Sequence, residues 1–416
     1  MSAGGRALRI ALLTYRGNPH SGGQGVYIRY LSRALAAVGH RVEVFSGPPY
    51  PELDDGIVLT RLPSLDLYRS DDPFRTPRPD EFRTPVDALE FTLMCTAAFP
   101  EPLTFSLRAA RILRRRIGEF DVVHDNQGLG YGLLPTLRRL PVVSTIHHPV
   151  SIDRRLELAN VVTFRKRLSL RRWYAFTAMQ ARVARRLPAL IAVSESARRD
   201  SIAEYGVRPA RVAVVRNGVD TDLFRPLPNV RRVAGRLITT ASADVPLKGL
   251  IHLIEALAKV RTEAHADLVV VGAPRADSEV TRAIERLDLR AAVRFESGVD
   301  WARLVALYAE AEIAVVPSLY EGFSLPAVEA MSCGLPLVAT TAGALPEVAG
   351  PNGQAALLVP PADPGALALA ISSLLRDPDK RATMGAAGRA RALAAFSWHR
   401  AAQETTAVYE QVMASC

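Results

Sequence analysis

Cysteine is scarce in this sequence. Only 3 cysteines occur in 416 residues, and Cys95, Cys333 and Cys416 lie far apart. None belongs to a Cys-x-x-Cys pair or to a His/Cys cluster at the spacing of metal ligands. An odd number of widely separated cysteines argues against a disulfide framework and indicates reduced thiols, as in a cytoplasmic protein.

Long apolar runs are also missing. No window approaches the ~20 apolar residues that a membrane span requires. The apolar run near the start is too short for a signal peptide, and we expect it to form a first strand over Leu8–Thr14. A composition of 49% hydrophobic and 23% charged residues is typical of a globular protein. The length predicts two domains of roughly 200 residues each.

Acidic residues are too few to balance the basic ones, and the formal net charge is +10. The excess of Lys and Arg lies entirely in residues 1–200. Such a charge is compatible with nucleic acid, an anionic membrane or an acidic small molecule as partner. Nucleic acid is the least favoured, because the basic segments lack interleaved aromatic residues or a known binding motif.

The stretch 313–349 has the pattern of a strand, a loop, a helix and a second strand. Ile313–Val316 is an apolar run short enough for a buried strand. A polar loop over 318–324 precedes a predicted helix over 325–332, and Leu337–Thr340 is predicted as the next strand. In a parallel sheet, such a unit brings loop N–H groups and the positive end of a helix dipole to one point, which suits a phosphate.

Two carboxylates flank this predicted phosphate site, Glu321 in the loop and Glu329 in the helix. Positions three or four apart share a helix face, so Glu329 lies on the same face as Leu325 and Pro326. Carboxylates repel a phosphate but accept hydrogen bonds from hydroxyl groups, on a ribose or on a sugar. The same spacing is explained equally well if Glu329 is a solvated helix residue and Glu321 is an ordinary loop charge.

The loop and helix resemble the Glu-x7-Glu motif of retaining glycosyltransferases of family 4. The likeness continues through Gly343-Ala344-Leu345-Pro346-Glu347 and covers nearly the whole chain. It implies the GT-B fold, an α/β architecture of two Rossmann-like domains, each with a doubly wound parallel sheet, that face each other across a cleft. The alternation of strand and helix patterns along the chain agrees with that fold.

The resemblance also divides the chain. The turn Asn217-Gly218-Val219-Asp220 is similar to one that precedes the crossing between the two domains of the family. We therefore predict an N-terminal acceptor-side domain over 1–224 and a nucleotide-sugar-binding domain over 225–397. The C-terminal helix, 398–416, is expected to pack back on the first domain.

On the donor side, the resemblance assigns the diphosphate to Lys248 and the amides of the 322–325 loop. It assigns the ribose to Glu329 and the hydroxyls of the transferred sugar to Glu321. The family usually has an arginine five or six residues before the lysine, where this chain has Ser242 and Ala243. Arg216 or another residue of the first domain could supply that charge, or Lys248 and backbone groups could suffice.

A glycine-containing loop, 21–25, lies between the first predicted strand and a helix expected from about Val26 to Val38. Glycines let a backbone approach a phosphate closely, but the spacing is not the GxGxxG of dinucleotide sites. A tight turn explains it equally well. Because the family carries a similar loop, the resemblance assigns Gly23 and Gly25 to the donor.

A predicted strand over Val142–Ile146 ends in His147 and His148. Ligands bind at the carboxyl ends of strands in open α/β sheets, although two hydrogen-bonded loop histidines are the simpler explanation. By resemblance, His147 contacts the donor sugar and His148 is its neighbour.

Two further segments bear on the acceptor. The stretch from 47 to about 105 is irregular and too long for an ordinary connection, which suggests a specificity element. The stretch 164–188 is strongly basic, with Phe164 and Leu168 among apolar residues at helical spacing. It is either a helix packed on the core with a solvated basic face or a surface that docks on anionic lipid headgroups.

The sequence therefore predicts a retaining hexosyltransferase that moves a sugar from a UDP- or GDP-sugar to an acceptor hydroxyl on a lipid, glycan or small molecule. The resemblance implies front-face attack with the leaving phosphate as base, no metal and no cofactor beyond the nucleotide sugar. The expected location is the cytoplasm, with a peripheral position on the inner face of the membrane left open. A non-catalytic nucleotide-sugar-binding protein is the alternative. The residues assigned to catalysis are Glu321, His147 and Lys248, and those assigned to donor binding are Gly23, Gly25, Lys248, Gly322, Phe323, Ser324, Leu325 and Glu329.

Overall fold

The structure, a computed structural model, describes residues 6–18, 23–69, 71–159, 161, 163–240, 245–273 and 278–415. The chain divides into two compact units. The first comprises Met1–Arg216 together with Trp398–Cys416, and the second comprises Asn217–Ser397. Each unit is built on its own parallel sheet.

The first unit alternates strands and helices from its start. Its strands are β1 (Arg9–Thr14), β2 (Arg41–Ser46), β3 (Val58–Arg61), β4 (Val122–Asn126), β5 (Val142–Ile146), β6 (Ala189–Ala192) and β7 (Val212–Val214). Its helices are α1 (Gly23–Ala37), α2 (Pro85–Cys95), α3 (Glu101–Arg115), α4 (Leu133–Leu137), α5 (Val150–Ala159), α6 (Phe164–Trp173), α7 (Phe176–Ala184) and α8 (Glu195–Tyr205). The strands lie in the order β3-β2-β1-β4-β5-β6-β7.

The second unit also alternates strands and helices. Its strands are β8 (Arg236–Thr240), β9 (Asp267–Val271), β10 (Val293–Glu296), β11 (Ile313–Val316), β12 (Leu337–Thr340) and β13 (Ala356–Val359). Its helices are α9 (Leu250–Val260), α10 (Glu279–Arg286), α11 (Trp301–Glu310), α12 (Leu325–Ser332), α13 (Leu345–Ala349), α14 (Pro364–Leu375) and α15 (Pro378–Ala395). The strands lie in the order β10-β9-β8-β11-β12-β13.

Both sheets have a point where the connections change direction. In the first unit the chain leaves β1 toward β2 and leaves β4 toward β5, although β1 and β4 are neighbours. In the second unit the same holds for β8 and β11. At such a point the loops at the carboxyl ends diverge and leave a crevice, which is where open α/β sheets bind ligands.

The C-terminal helix, α16 (Trp398–Ala414), belongs to the first unit. The Trp398 ring stacks on Tyr30 of α1, with centroids 5.6 Å apart. Trp398, Val408 and Tyr409 join the apolar core formed by β1, β2 and α1. Packing of this buried face, rather than helix propensity, fixes the helix on the first unit.

The boundary between the units lies at 216/217, eight residues before the predicted 224/225. The segment up to Phe224 is held by contacts within the second unit. Val219 N–H donates to the Phe396 carbonyl at 3.0 Å. The buried Phe224 ring meets Trp301 and Tyr308 edge-on. The turn motif predicts a chain reversal at this point. Contacts with residues distant in sequence determine that the segment 217–224 belongs to the second unit.

The two acceptor-side segments are more regular than the sequence suggested. The stretch 47–105 contains β3, α2 and the start of α3. The basic stretch is not one helix but α6 and α7, interrupted between Trp173 and Phe176. The expectation that Phe164 and Leu168 pack on the core is wrong, because their exposures are 76% and 42%. Within the described ranges, none of the helices has the length and apolarity needed to traverse a bilayer.

A buried hydrogen-bonded chain links α16 to the sheet of the first unit. The Tyr409 hydroxyl lies 2.5 Å from His124 Nδ1, and His124 Nε2 lies 2.7 Å from Thr145 Oγ1. Thr145 Oγ1 in turn lies 2.9 Å from the Tyr27 hydroxyl. Burial lowers the pKa of His124 to about 3, so the ring is neutral and offers one donor and one acceptor to this chain.

Replacing Tyr409 by Phe should destabilise the protein. The substitution keeps the ring but leaves one buried nitrogen of His124 without its partner, which costs about 1–3 kcal/mol. Urea unfolding of Tyr409→Phe against the parent measures the loss. Tyr131→Phe is the control, because Tyr131 is 36% exposed and a surface change of this kind should stay within about 0.5 kcal/mol. Equal stability of the two variants would contradict the role given to the chain.

Candidate active site

Lys248 and Glu321 meet at the carboxyl edge of the second sheet. Lys248 follows β8 and directly precedes Gly249 and helix α9, whereas Glu321 follows the neighbouring strand β11. Lys248 Nζ lies 2.8 Å from Glu321 Oε1. The lysine side chain is 31% exposed and that of the glutamate 8%, so the pair is reached by solvent from the lysine side.

Close backbone contact brings the two loops together. Gly249 has φ +64°, and a Cβ at this position would lie 2.1 Å from the Pro317 carbonyl oxygen. Leu319 N–H donates to the Leu247 carbonyl at 2.7 Å. Only glycine fits both the left-handed backbone and this approach. The lysine therefore has a fixed position relative to the loop that carries Glu321.

The Glu321 carboxylate is held on one side only. Ser318 Oγ donates to Oε1 at 2.7 Å, the same oxygen that meets Lys248. Gly343, at φ +56°, passes so close that its Cβ would lie 2.1 Å from the Glu321 carbonyl oxygen, and the next amide, Ala344 N–H, donates to that carbonyl at 2.9 Å. Among the residues that the structure describes, none donates a hydrogen bond to Oε2. This oxygen is therefore available to a ligand hydroxyl.

Helix α12 starts from a strained residue. Ser324 has φ +84° and ψ 80°, which is a rare conformation for a residue with a side chain. Its hydroxyl is buried and, within the described part of the chain, has no hydrogen-bond partner. Such strain costs on the order of 1–3 kcal/mol and occurs where a ligand is held. The N–H groups of the first helical turn have no partner within the helix and can bind an anion.

The other loop residues predicted to bind the donor are Gly322, Phe323 and Leu325, and they differ in how far they are buried. The Phe323 side chain is 5% exposed and packs edge-on against Phe396, with centroids 5.6 Å apart. Only its backbone can face a ligand. Gly322 and Leu325 are partly exposed beside it. The assignment of these residues to donor binding stays a prediction.

Glu329 is not a solvated helix residue. It is 7% exposed, and its Oε2 accepts a hydrogen bond of 3.2 Å from the Tyr308 hydroxyl. Burial raises the pKa of Glu329 to about 7. A carboxyl group with this pKa gains from a hydroxyl donor that stabilises its charged form.

The structure does not describe the positions at which the family usually has its arginine. Ser242 and Ala243 lie outside the described residues, which resume at 245. Arg216 is exposed and is the last residue of the first unit before the boundary. Lys248 is therefore the cation that the structure places against Glu321.

The first unit contains a second polar cluster, around His147. His147 Nε2 lies 2.7 Å from Asn126 Oδ1, so Nε2 carries the proton and Nδ1 is left as the acceptor. Gln127 Oε1 accepts from His147 N–H at 2.5 Å, and the Tyr27 ring packs edge-on against the imidazole at 4.7 Å. Burial lowers the pKa of His147 to about 3. This neutral ring can accept a hydrogen bond from a sugar hydroxyl. The neighbouring His148 is paired with Asp153 at 2.8 Å.

The two predicted glycines lie in a helix rather than a loop, because α1 begins at Gly23. A Cβ at Gly25 would lie 2.0 Å from the Asn18 carbonyl oxygen, so this position requires glycine. A Cβ at Gly23 would have no neighbouring atom within 4 Å. Steric contact with the protein therefore does not explain why this residue is glycine. Asn126 Nδ2 contacts the Gln24 carbonyl at 3.5 Å, which brings this first turn next to the His147 cluster. Residues 21 and 22 of the predicted loop lie outside the described residues.

Sequence reasoning missed several residues that support both clusters: Tyr27, Asn126, Gln127, Tyr308 and Ser318. The run Asp125-Asn126-Gln127 was a usable signal, since polar residues at the end of a buried strand face the binding edge of the sheet. Tyr308 gave no signal, because its partner Glu329 lies in another helix. Ser318 gave none either: its partner Glu321 is only three residues away, but a serine in a polar loop forms no distinctive pattern. In the described part of the chain, no group of three or more His, Cys, Asp or Glu is arranged to hold a metal ion.

Each unit therefore carries its own cluster of groups that can bind a polar ligand. The second unit offers a cation, a helix N-terminus and two buried carboxylates that accept hydroxyl hydrogen bonds. This combination suits a phosphate attached to sugars. The first unit offers a neutral imidazole and amides.

Comparisons with known proteins agree with this chemistry. The family model described as "Glycosyltransferase Family 4" matches residues 21–223, and that described as "Glycosyl transferases group 1" matches residues 229–391. The chain is 52% identical to the MMP alpha-(1->4)-mannosyltransferase of Mycolicibacterium hassiacum, over 98% of this chain and 99% of the relative. It is 29% identical to a D-inositol 3-phosphate glycosyltransferase 2 of Catenulispora acidiphila, over 97% of this chain and 95% of the relative.

Among solved structures, sucrose-phosphate synthase from Thermosynechococcus elongatus is similar with a TM-score of 0.75. The match has 24% identity and covers 98% of this chain and 100% of the other, which shows the fold. Both family models, the 52% identical relative and the two parallel sheets point the same way. The chain is a glycosyltransferase, and it belongs to family 4 of these enzymes, with the GT-B fold.

Proposed function

We propose that this glycosyltransferase moves a mannosyl residue from a nucleoside diphosphate mannose to the 4-hydroxyl of an acceptor sugar, with retention of configuration. The observation that carries the donor assignment is the 2.8 Å contact between Lys248 Nζ and Glu321 Oε1 beside the N-terminus of α12. The sugar and the linkage are suggested by the activity for which the 52% identical relative is named. Nucleoside diphosphate mannose has the α configuration, so an α-linked product requires retention.

In this proposal, each site residue binds a different part of the nucleotide-sugar donor. Lys248 and the first-turn amides of α12 bind the diphosphate and stabilise the charge that develops on it as it leaves. Glu321 Oε2 accepts a hydroxyl of the transferred sugar. Glu329 accepts the ribose hydroxyls. In the first unit, Nδ1 of His147 accepts a hydrogen bond from a sugar hydroxyl. Lys248 thus neutralises one Glu321 oxygen while the other orients the sugar.

The reaction exchanges one bond at the anomeric carbon. The bond from that carbon to the phosphate oxygen breaks, and a bond to the acceptor oxygen forms on the same face. The acceptor proton passes to the departing phosphate, which acts as the base. With a pKa of about 3, His147 is too weak a base for this step at neutral pH. We propose that positive protein groups, rather than a metal ion, stabilise the leaving group and that no further cofactor takes part.

Replacing Lys248 or Glu321 by Ala should each reduce turnover about 100-fold or more, because each removes charge complementarity to the transition state. The assay measures transfer of labelled mannose from GDP-mannose or UDP-mannose to oligomannosides, with and without EDTA. Lys259→Ala is the matched control, since Lys259 is exposed near the far end of the adjoining helix α9. All three variants should remain folded at the assay temperature, which circular dichroism checks.

Near-normal transfer by Lys248→Ala and Glu321→Ala would refute the site. Donor binding without transfer or hydrolysis in the parent would instead favour a non-catalytic nucleotide-sugar-binding protein. The activity for which the 29% identical relative is named suggests a phosphorylated acceptor as the competing substrate. An arm with D-inositol 3-phosphate therefore separates a small soluble acceptor from a glycan.

Nucleotide binding should release protons through Glu329. With a pKa of about 7, this carboxyl is roughly half protonated at pH 7. Ribose hydroxyls that donate to it favour the charged form and lower its pKa. Binding of a nucleoside diphosphate at pH 7 should therefore release about half a proton. Calorimetry in two buffers of different ionisation enthalpy measures this number.

The matched variant is Glu329→Gln, which keeps the shape but cannot titrate. It should bind the nucleotide without the linked proton release. Unchanged proton release in this variant would show that another group titrates and would contradict the ribose assignment.

We also propose that helix α6 allows a peripheral position at an anionic membrane. None of its residues is buried, and Phe164 and Leu168, four positions apart, share an exposed face. Arg165, Lys166 and Arg167 surround this apolar pair. Such a helix binds by inserting apolar side chains among anionic headgroups. An exposed basic helix with no membrane role is the competing explanation.

Sedimentation with phosphatidylglycerol vesicles at physiological salt tests this surface. The parent should pellet with the vesicles, and a Phe164→Ser, Leu168→Ser variant should pellet much less. The variant has little effect on folding because both side chains are already exposed. No pelleting of the parent would leave a soluble acceptor as the better explanation.

A further inference from the structure

Aromatic rings from three separate parts of the first unit converge on one surface. This aromatic patch consists of Tyr68, Phe74, Phe99, Trp173 and Phe176. Neighbouring ring centroids lie between 5.1 Å, for Phe99 and Trp173, and 6.2 Å, for Phe74 and Trp173. All five side chains keep partial exposure, and Phe74 is 60% exposed. Rings that served only to fill a core would be buried.

The exposed Phe74 has a strained backbone conformation. Its φ is +64°, a left-handed conformation that is a genuine outlier for a bulky side chain. The conformation is held by a hydrogen bond of 2.7 Å from Phe74 N–H to the Leu67 carbonyl. Strain that keeps a large ring in solvent does not stabilise the fold, and such outliers occur where a ligand is clamped.

The patch lies at the binding edge of the first sheet. Tyr15 directly follows β1, and its ring packs edge-on against Phe99 at 6.4 Å. Phe176 and Gln180 are one turn apart on α7, with Cβ atoms about 5–6 Å apart. Gln180 Nε2 donates to the Gln127 carbonyl at 3.1 Å, and the Gln127 side chain accepts from His147 N–H. The patch is therefore connected to His147 through two side chains.

Charged groups line the same surface. The Arg16 guanidinium lies 5.9 Å from the Tyr68 ring centroid and is paired with Glu101 at 2.6 Å. Arg16 Nη2 also donates to the Tyr68 carbonyl at 3.3 Å. A pyranose combines an apolar C–H face with a rim of hydroxyl groups. Aromatic faces beside an ion pair suit both parts of such a ring, whereas a lipid tail would have to desolvate the charges.

We propose that the aromatic patch is an acceptor subsite that stacks a sugar residue next to the one being glycosylated. The inference rests on the proposed function and specifies its acceptor as an oligosaccharide of at least two residues. The sugar covers Phe74 and Trp173, whose centroids are 6.2 Å apart. The terminal residue of the acceptor reaches His147, and the patch holds the residue behind it.

Phe74→Ala tests the subsite with acceptors of different length. It should raise KM for a tetrasaccharide acceptor roughly tenfold, the size of effect expected from losing one aromatic contact. KM for a monosaccharide glycoside and the rate of donor hydrolysis should stay unchanged. Phe74→Tyr keeps the ring and should restore the parent KM. Leu89→Ala is the matched control, because Leu89 is 37% exposed on α2 in the same part of the chain.

The outcomes separate this inference from the proposed function. An unchanged KM for the tetrasaccharide, or an equal rise for both acceptors, would overturn the subsite while leaving the transferase assignment intact. A rise confined to an alkyl glycoside would identify an apolar tail as the occupant and would also overturn it. No transfer to any sugar by the parent enzyme would refute the proposed function itself. Trp173→Leu provides a second variant and should act on the tetrasaccharide in the same way as Phe74→Ala.

Discussion

The close contact of two loop backbones at the carboxyl edge of the second sheet is the constraint on which the proposed donor site depends. Gly249 approaches the Pro317 carbonyl, and Gly343 approaches the Glu321 carbonyl, at distances that no side chain would allow. Because β8 and β11 are neighbours whose connections diverge, the two loops meet at the carboxyl ends of these strands. The 2.8 Å pair between Lys248 and Glu321 is a consequence of that backbone arrangement.

The same topology acts in the first unit, but with neutral groups. There the ends of β4 and β5 bring Asn126, Gln127 and His147 together under the first turn of α1. The buried chain from Tyr409 through His124 and Thr145 to Tyr27 supports this cluster from below. The C-terminal helix therefore contributes to a site far from it in sequence, since Tyr27 also packs against His147.

Charge is used differently in the two units. In the second unit, Glu329 is buried with a pKa near 7, so its protonation can follow ligand binding. In the first unit, burial keeps His124 and His147 uncharged, and they act as hydrogen-bonding groups. The surplus of positive charge sits on exposed helices such as α6, where solvent screens it.

The α/β class, the strand–loop–helix unit around Glu321 and Glu329, and the family could all be predicted from the amino-acid sequence. Local patterns suffice for these features because apolar runs, glycines and the spacing of two carboxylates are encoded over short distances. Tertiary structure alone decided that Glu329 is buried against Tyr308, that 217–224 belongs to the second unit, and that five aromatic rings form one surface. Those features depend on partners tens to hundreds of residues away. A burial or a contact of this kind exists only when the fold has brought both partners together.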